Sequence, residues 1–494
     1  MNKVPDFTSF FARTRPDRLV CVDLASGRRW DYRAFDQAIA RAVAVLEAQL
    51  LLKPGDRLAV LGKNSAEFVI LHLACLRAGV IYVPLNWRCS PAELDAILID
   101  CDPAALVASR EFALASPCVR MDTSDLAAAI AGAAPKASPA PLDGERPAVL
   151  LYTSGTTGTP KGAILTASNL YFSALNFVAL GAVNERSVFL CEAPMFHVIG
   201  LVASLHSPLV CGGTMLISDG FEPGRTIGLM ADSRLAVTHY FCVPQMAARL
   251  LAHAEFAPDK FAGLVALFTG GAPHPARAIN AWLDRGIAVV DGFGMTETGT
   301  LLGMPIDIDC IRAKAGSCGV AAPHVEVRIV ADDGRDAGEH RPGELWVRGP
   351  NITSGYWNRP EQSAASFAGD GWFRTGDVAE MDADGYITMV GRMKDMYISG
   401  GENIYAGEVE TRLLQHPAIA EAAIIGRPDE KWGEVGHAYL VARKSTTLPS
   451  DGDLARFCEA ALARFKVPQK FFWLPELPRT ASGKVNKRYL PPQP

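Results

Sequence analysis

The chain has 494 residues, a formal net charge of -5, 49% apolar and 20% charged residues. That length exceeds what one hydrophobic core organises, since domains run to roughly 100–200 residues, and the apolar share excludes a disordered chain. The slightly negative balance excludes a broad basic surface for nucleic acid or anionic lipid, so an anionic ligand must meet local positive charge in a small-molecule site.

Eleven cysteines are scattered without a C-x-x-C pair, and residues 1–25 lack the pattern of a signal peptide. A reducing cytoplasm is the expected compartment. The longest apolar run, 69-VILHLACLRAGVIYVPL-85, contains His72, Arg77 and Gly79. It falls short of the ~20 clean residues of a membrane span and reads as a buried helix followed by a buried strand.

In chain order, Phe35, Ile39, Val43 and Leu46 share one face of a helix over 31–49. A strand follows at 57–62, then a helix capped by Asn64 or Ser65 and ended by Gly79. Next come a strand at 80–85, a helix opened by Ser90-Pro91 and a strand at 105–109. Such alternation implies a parallel sheet covered by helices, the α/β class. The Ala- and Pro-rich segment 127–147 reads as a surface connection, and apolar strands resume at 148–154. Past residue 375 the pattern changes. A hairpin over 378–390 turns at Asp384-Gly385, and a charged break covers 391–395. A helix at 407–415, strands near 419–426 and 436–443, and a helix carrying Leu454, Phe457, Cys458, Ala461, Leu462 and Phe465 on one stripe then make a second, α+β domain.

Four stretches carry chemistry. In 152-YTSGTTGTPKG-162, hydroxyls at Thr153, Ser154, Thr156, Thr157 and Thr159 surround Gly155, Gly158 and Gly162, with one cation at Lys161. Glycines let backbone N–H groups turn inward and hydroxyls add donors, a pattern suited to phosphate oxygens. The spacing is not that of Walker A, because Pro160 precedes Lys161 and Gly162 follows it. In 291-DGFGMTETG-299 the third glycine is five residues after Gly294, so a Rossmann fingerprint fails. There Phe293 can stack on a base, and Glu297 can hold a magnesium ion brought by a triphosphate. Asp377, in 371–410, can accept bonds from ribose hydroxyls, and Lys484 sits in a Ser-Gly-Lys turn of 478-PRTASGKVNKRYL-490. Taken singly, Glu297, Asp377 and Lys484 read equally as a loop acid, a turn acid and a surface lysine.

Together with 194-PMFHVIG-200 and 270-GGAP-273, these stretches resemble, in order and spacing from about residue 20 to 490, the signature set of the acyl-adenylate-forming superfamily. That group includes acyl-CoA synthetases, nonribosomal adenylation domains and luciferases. The resemblance implies a large N-terminal domain (1–391) of parallel-rich sheets covered by helices, a hinge (392–395) and a small mobile α+β C-terminal domain (396–494). It also implies two half-reactions: a carboxylate and ATP give acyl-AMP and pyrophosphate, and a thiol then displaces AMP.

Matched by motif, Thr153, Ser154, Gly155, Thr156, Thr157, Gly158 and Lys161 resemble the loop handling the β- and γ-phosphates. Thr296 and Glu297 match the α-phosphate and magnesium positions. Gly271, Ala272, Pro273 and Phe293 lie where adenine sits, and Asp377 and Arg392 match the ribose contacts. Lys484 matches the lysine that reaches the α-phosphate and carboxylate, and Lys394 takes the hinge position. His197 matches an aromatic or histidine gate beside the acyl group, although a lone histidine between Phe196 and Val198 also reads as core. Gly400, Gly401 and Glu402 resemble the lining of the thiol tunnel. Where many relatives have proline, Ala406-Gly407 leaves the start of the following helix less rigid.

No carrier domain is expected after Lys484, and 429-DEKWGE-434 resembles the small domain of CoA ligases, with Trp432 placed to pack on the CoA nucleotide. A free thiol, coenzyme A, is therefore the expected acceptor. An enzyme that loads a separate carrier protein, and a non-catalytic nucleotide- or acyl-binding relative, are the alternatives. The acyl pocket is expected from 197–201, 240–244, 268–271 and 300–303, including His197, Val198, Phe241, Gly270 and Leu301. Those four stretches hold no Lys, Arg, Asp or Glu. A second charge on the acid would be buried unpaired at a cost of several kcal/mol, so the acid expected is aliphatic of short to medium length or aryl, uncharged beyond its carboxylate. Neither a nucleic-acid partner nor a membrane span is expected, and a homodimer is left open.

Overall fold

The computed structural model describes residues 3–112, 118–136, 142–153, 160–400, 402–443, 446–480 and 484–491. The helix Tyr32–Ala48 starts where the Asp31 side chain accepts from Ala34 N–H, and it buries Phe35, Ile39, Val43 and Leu46 as the 3.6-residue period requires. The helix Ala66–Ala78 ends on Gly79 at φ 70°, the left-handed conformation that a glycine C-cap supplies. Ser65 stands at its N-cap without a side-chain bond, while Asp23 accepts from Ala66 N–H at 3.0 Å. Asn64 turns away instead, donating to Ala193 C=O and accepting from Met195 N–H. It thereby ties this helix start to the loop that carries His197. The helix Pro91–Cys101 opens on a capping box of Ser90 and Glu93.

Strands Arg57–Leu61, Ile81–Leu85, Ala105–Ala108, Val119–Asp122 and Pro147–Thr153 lie parallel in a six-stranded sheet. Lys161–Thr166 folds back antiparallel on its edge, pairing Lys161 with Thr153. A nine-stranded sheet carries Val188–Cys191, Thr214–Ile217, His239–Cys242, Ala266–Thr269 and Val289–Met295 in parallel. Both sheets bury nearly continuous apolar strands, as parallel sheets covered on both faces must. A four-stranded antiparallel sheet follows, and it ends in Phe373–Met381 paired with Ile387–Arg392.

The last hundred residues build a separate core of Tyr397, Ile404, Val409, Leu413, Ile424 and Leu454 around a five-stranded sheet. The helix Ala406–Leu414 abuts the strand Ile387–Arg392 so closely that a methyl group at Gly407 would stand 2.5 Å from Val390 O and 3.0 Å from Gly391 Cα. Glycine at 407 therefore reflects close backbone approach, and not only a looser helix start.

Two expected elements differ. Residues 123–132 form the helix Thr123–Gly132, so the first part of 127–147 is not a surface connection. Alanines favour helix, proline enters only at 135, and Leu126 and Ile130 are buried. The stripe that runs to Phe465 is cut short, because its helix, Asp451–Glu459, buries only Leu454 and Cys458 and leaves Phe465 exposed. Among the described residues no helix is long and apolar enough to cross a membrane.

Candidate functional site

The hairpin Val289–Met295 and Gly299–Gly303 projects Thr296 and Glu297 at its turn. Its tightness is set by Gly294, where a methyl group would lie 2.0 Å from Gly299 O. Glu297 is buried; its Oε1 accepts from the Tyr356 hydroxyl at 2.9 Å, and its backbone C=O accepts from Thr353 N–H at 2.7 Å. Lys161 Nζ lies 5.5 Å from the centroid of the same Tyr356 ring. Burial, then the Glu297 charge, pushes the Tyr356 hydroxyl well above its ordinary pKa, so it remains a donor. Glu297 and Lys161, 136 positions apart in sequence, thus meet on one tyrosine. Thr153 lies directly opposite Lys161, whereas Ser154, Gly155, Thr156, Thr157 and Gly158 lie outside the described residues.

Asp377 and Arg392, expected to hold the ribose, are register partners in adjacent strands, with Arg392 Nε 3.0 Å from Asp377 Oδ1. Burial raises the Asp377 pKa, and the charges of Arg392 and Lys484 pull it back. A buried carboxylate in this state gains from further hydroxyl donors such as those of a ribose. Lys484 caps the cleft from the small domain. Its residue is exposed, yet desolvation by the surrounding protein depresses its pKa, with Arg392 and Lys394 adding repulsion and Asp377 and Glu297 opposing it. Burial, with Arg392 next, likewise lowers Lys394. Lys487 fixes this segment by pairing with Glu410 at 2.7 Å and Asp395 at 3.6 Å.

Around the stretches expected to line the acyl pocket, aromatic rings pack on one another. Phe241 packs 5.7 Å from Phe177 and 6.5 Å from Phe268, centroid to centroid. A methyl group at Gly270 would meet Phe241 Cζ at 3.3 Å; at Gly271, whose φ is +81°, it would meet Ile199 Cδ1 at 3.5 Å and Val243 Cγ1 at 3.9 Å. His197 and Val198 are half-buried at the start of a π-helical segment, Ile199–His206, an irregularity frequent at functional sites. Burial, then the charges of Lys484 and Arg88, pushes the His197 imidazole down to about 4.

Two sequence expectations change here, and one residue comes in that the sequence reading missed. Leu301 is fully buried in the core cluster with Leu302, Val325, Ile352 and Phe373, where a register shift in the hairpin breaks simple alternation, and it is taken up by that core. Positive charge does reach the acyl side, from Arg88 and Lys484 outside the four lining stretches. Tyr356 escaped the sequence reading altogether, since only the pairing of Ala163 with Tyr356 brings it beside Lys161.

Gly271, Ala272 and Pro273 follow the strand Ala266–Thr269 at the surface of the same cleft, near the Phe293 strand. Behind them Asp291, Thr269 and His274 share buried hydrogen bonds of 2.8 and 2.9 Å. Gly400, Glu402 and Trp432 cluster at the tip of the small domain, where Gly400 N–H donates to Trp432 C=O at 2.8 Å and a methyl group at Gly400 would lie 3.0 Å from the indole. Gly401 lies outside the described residues. Among the described residues, no hydrogen bond or ion pair joins this cluster to Glu297, Asp377 or Lys161.

Among the described residues no group of three or more His, Cys, Asp or Glu side chains could hold a metal ion. A single buried carboxylate, Glu297, with one oxygen engaged fits an ion that arrives on a triphosphate, since Mg²⁺ takes one or two protein carboxylates and completes its shell with phosphates and water.

The family model for AMP-binding enzymes matches residues 9–357, and that for the C-terminal domain of AMP-binding enzymes matches 408–484. The chain belongs to the AMP-binding enzyme family. It is 38% identical to a feruloyl-CoA synthase of an Amycolatopsis species over 93% of each chain. It is 37% identical to an indoleacetate–CoA ligase of Aromatoleum aromaticum, covering 87% of this chain and 86% of that one. The solved o-succinylbenzoate coenzyme A synthetase of Bacillus subtilis, in complex with ATP and a magnesium ion, superposes with a TM-score of 0.88 at 32% identity, covering 99% of this chain and all of that one. The reaction of this AMP-binding enzyme is AMP-forming carboxylate–CoA ligation, with ATP, Mg²⁺ and coenzyme A as its nucleotide, metal and thiol.

Proposed function

We propose that the acid activated here is an aryl or arylalkyl carboxylic acid, and that the matched residues divide the work as follows. The carboxylate and the triphosphate are both anions, so the site must quench repulsion before an oxygen can approach phosphorus. Lys161 and the hydroxyl- and glycine-rich loop before it hold the β- and γ-phosphates. Thr296 donates to the α-phosphate, and Glu297 holds magnesium, which when bound neutralises phosphate charge. Phe293 and 271–273 flank adenine, while Asp377 and Arg392 hold the ribose. Lys484 draws the carboxylate oxygen and the α-phosphate together; the acyl–phosphate bond forms as the bond to pyrophosphate breaks.

Residues 392–395, with Lys394, act as the hinge between domains 1–391 and 396–494. Rotation about it withdraws Lys484 and brings Gly400, Gly401, Glu402 and Trp432 toward the acyl-adenylate, where the CoA thiol displaces AMP. His197, neutral at working pH, positions the acyl group by packing and not by proton transfer.

The ring packing of Phe241 on Phe177 and Phe268 beside Gly270 and Gly271 supports the preference for an aromatic ring, because rings gain from offset aromatic contact beyond their buried area. Two relatives named for feruloyl and indoleacetate substrates support the same class. The test is pyrophosphate release across aryl, arylalkyl, linear aliphatic and dicarboxylic acids, with and without CoA. Highest kcat/KM for aryl or arylalkyl acids is expected; faster turnover of linear aliphatic acids or dicarboxylates overturns the substrate reading.

A further inference from the structure

Tyr356 belongs to none of the stretches that carried the sequence-level argument, yet it touches two of them. Its hydroxyl donates to Glu297 Oε1 at 2.9 Å, and Lys161 rests over its ring. Its backbone is stitched to the strand that Lys161 begins: Tyr356 bridges Ala163, Trp357 N–H donates to Gly162 C=O at 2.8 Å, and Ile164 N–H donates to Gly355 C=O at 3.0 Å. On the far side, Tyr356 N–H donates to Ser363 Oγ at 2.8 Å. The side chain is thus aimed from a fixed backbone, and it leaves Glu297 Oε2 outside every hydrogen bond formed among the described residues.

We propose that Tyr356 is a positioning residue that sets the metal-ion selectivity of adenylation by occupying one oxygen of Glu297, so that the carboxylate offers only its other oxygen to a cation. This rests on Glu297 being the metal-holding carboxylate. Mg²⁺ accepts one oxygen per carboxylate in a tight octahedron, whereas the larger Ca²⁺ takes six to eight oxygens and readily accepts both oxygens of one carboxylate. A two-oxygen grip on Ca²⁺ would require Tyr356 to surrender its acceptor, leaving a half-buried hydroxyl without it. The ring holds Lys161 separately, so the phenylalanine variant keeps the lysine platform and removes only the hydroxyl.

The experiment compares wild type, Tyr356→Phe and Glu297→Gln as full-length enzymes. ATP binding is measured by calorimetry in Mg²⁺ and in Ca²⁺, and pyrophosphate release is measured with each ion. Tyr356→Phe is expected to narrow the Mg²⁺ over Ca²⁺ preference in ATP affinity by about fivefold, the equivalent of one hydrogen bond, chiefly by strengthening the Ca²⁺ complex. Glu297→Gln is expected to flatten the dependence on both ions. Wild-type discrimination in Tyr356→Phe alongside a flattened Glu297→Gln overturns the role of Tyr356. Unaltered metal dependence in Glu297→Gln overturns the placement of the metal itself. A general loss of fold in Tyr356→Phe would lower affinity equally with both ions and leave their ratio unchanged, which also counts against the proposal.

Discussion

Replacing Asp291 by asparagine should stabilise the protein, and more so as pH rises. Asp291 is buried, accepts from Thr269 Oγ at 2.8 Å, and is pushed by burial up to about 8, well above an ordinary carboxyl group. The native state therefore keeps a proton that the unfolded chain, titrating near 3.9, has released, and stability from this group falls as pH rises from about 4 to 8. At pH 7 the penalty is roughly 1.36 kcal/mol times about 3 pH units, or about 4 kcal/mol; at pH 5 it is about 1.5 kcal/mol. Asparagine has the same shape, still accepts from Thr269 and cannot ionise. For a cooperative unit of roughly 390 residues, about 4 kcal/mol corresponds to about 5 °C in Tm. Neighbouring His274 is held down near 4 by burial, so it does not titrate between pH 5 and 8. Thermal melts of wild type and Asp291→Asn at half-unit intervals across that range should show a Tm gap that widens by about 3 °C between pH 5 and 7. A gap that stays constant or shrinks refutes the assignment of a neutral Asp291, because any pH-independent packing change shifts the whole curve without altering its slope.

Lys484→Ala should lower acyl-AMP formation by at least ~100-fold, the scale of losing one preorganised donor to a developing charge, while sparing thioester formation from acyl-AMP supplied ready-made. Equal damage to both steps, read by separate single-turnover assays, contradicts the assignment. His197→Phe should leave the shape of the pH–rate profile between pH 5.5 and 9 unchanged and alter mainly the KM for the acid, because the imidazole, held near 4, is neutral throughout; loss of a limb near pH 6 to 7 in that variant would reinstate an acid–base role.

The residues legible in sequence were those whose chemistry is local. Phe35, Ile39, Val43 and Leu46 declared their helix through spacing alone, and Gly79 and Ser90-Pro91 declared boundaries through backbone preference. Glu297, Asp377 and Lys484 stood out as charged residues in turn-rich stretches, and order along the chain tied them to a family. Leu301 misled because 299–303 is glycine-flanked and close to Glu297, and only its strand partners decide which face meets solvent. The helix expected to reach Phe465 failed because its stripe continues into residues that close the structure by other turns.

Sequence by itself determined the element types, the phosphate-loop composition and the identity of the charged groups, because glycine freedom, side-chain period and ionisable chemistry are properties of short segments. Only the tertiary structure decided that Asp377 faces Arg392, that a tyrosine near residue 356 joins Glu297 to Lys161, and that Arg88 and Lys484 press on His197. Those relations arise from strand register and from the packing of one domain on another. The Asp377–Arg392 pair follows from the register of one hairpin, whereas the meeting of Lys161, Tyr356 and Glu297 and the approach of Lys484 to His197 are set by apolar faces far apart in the chain, which no local pattern encodes.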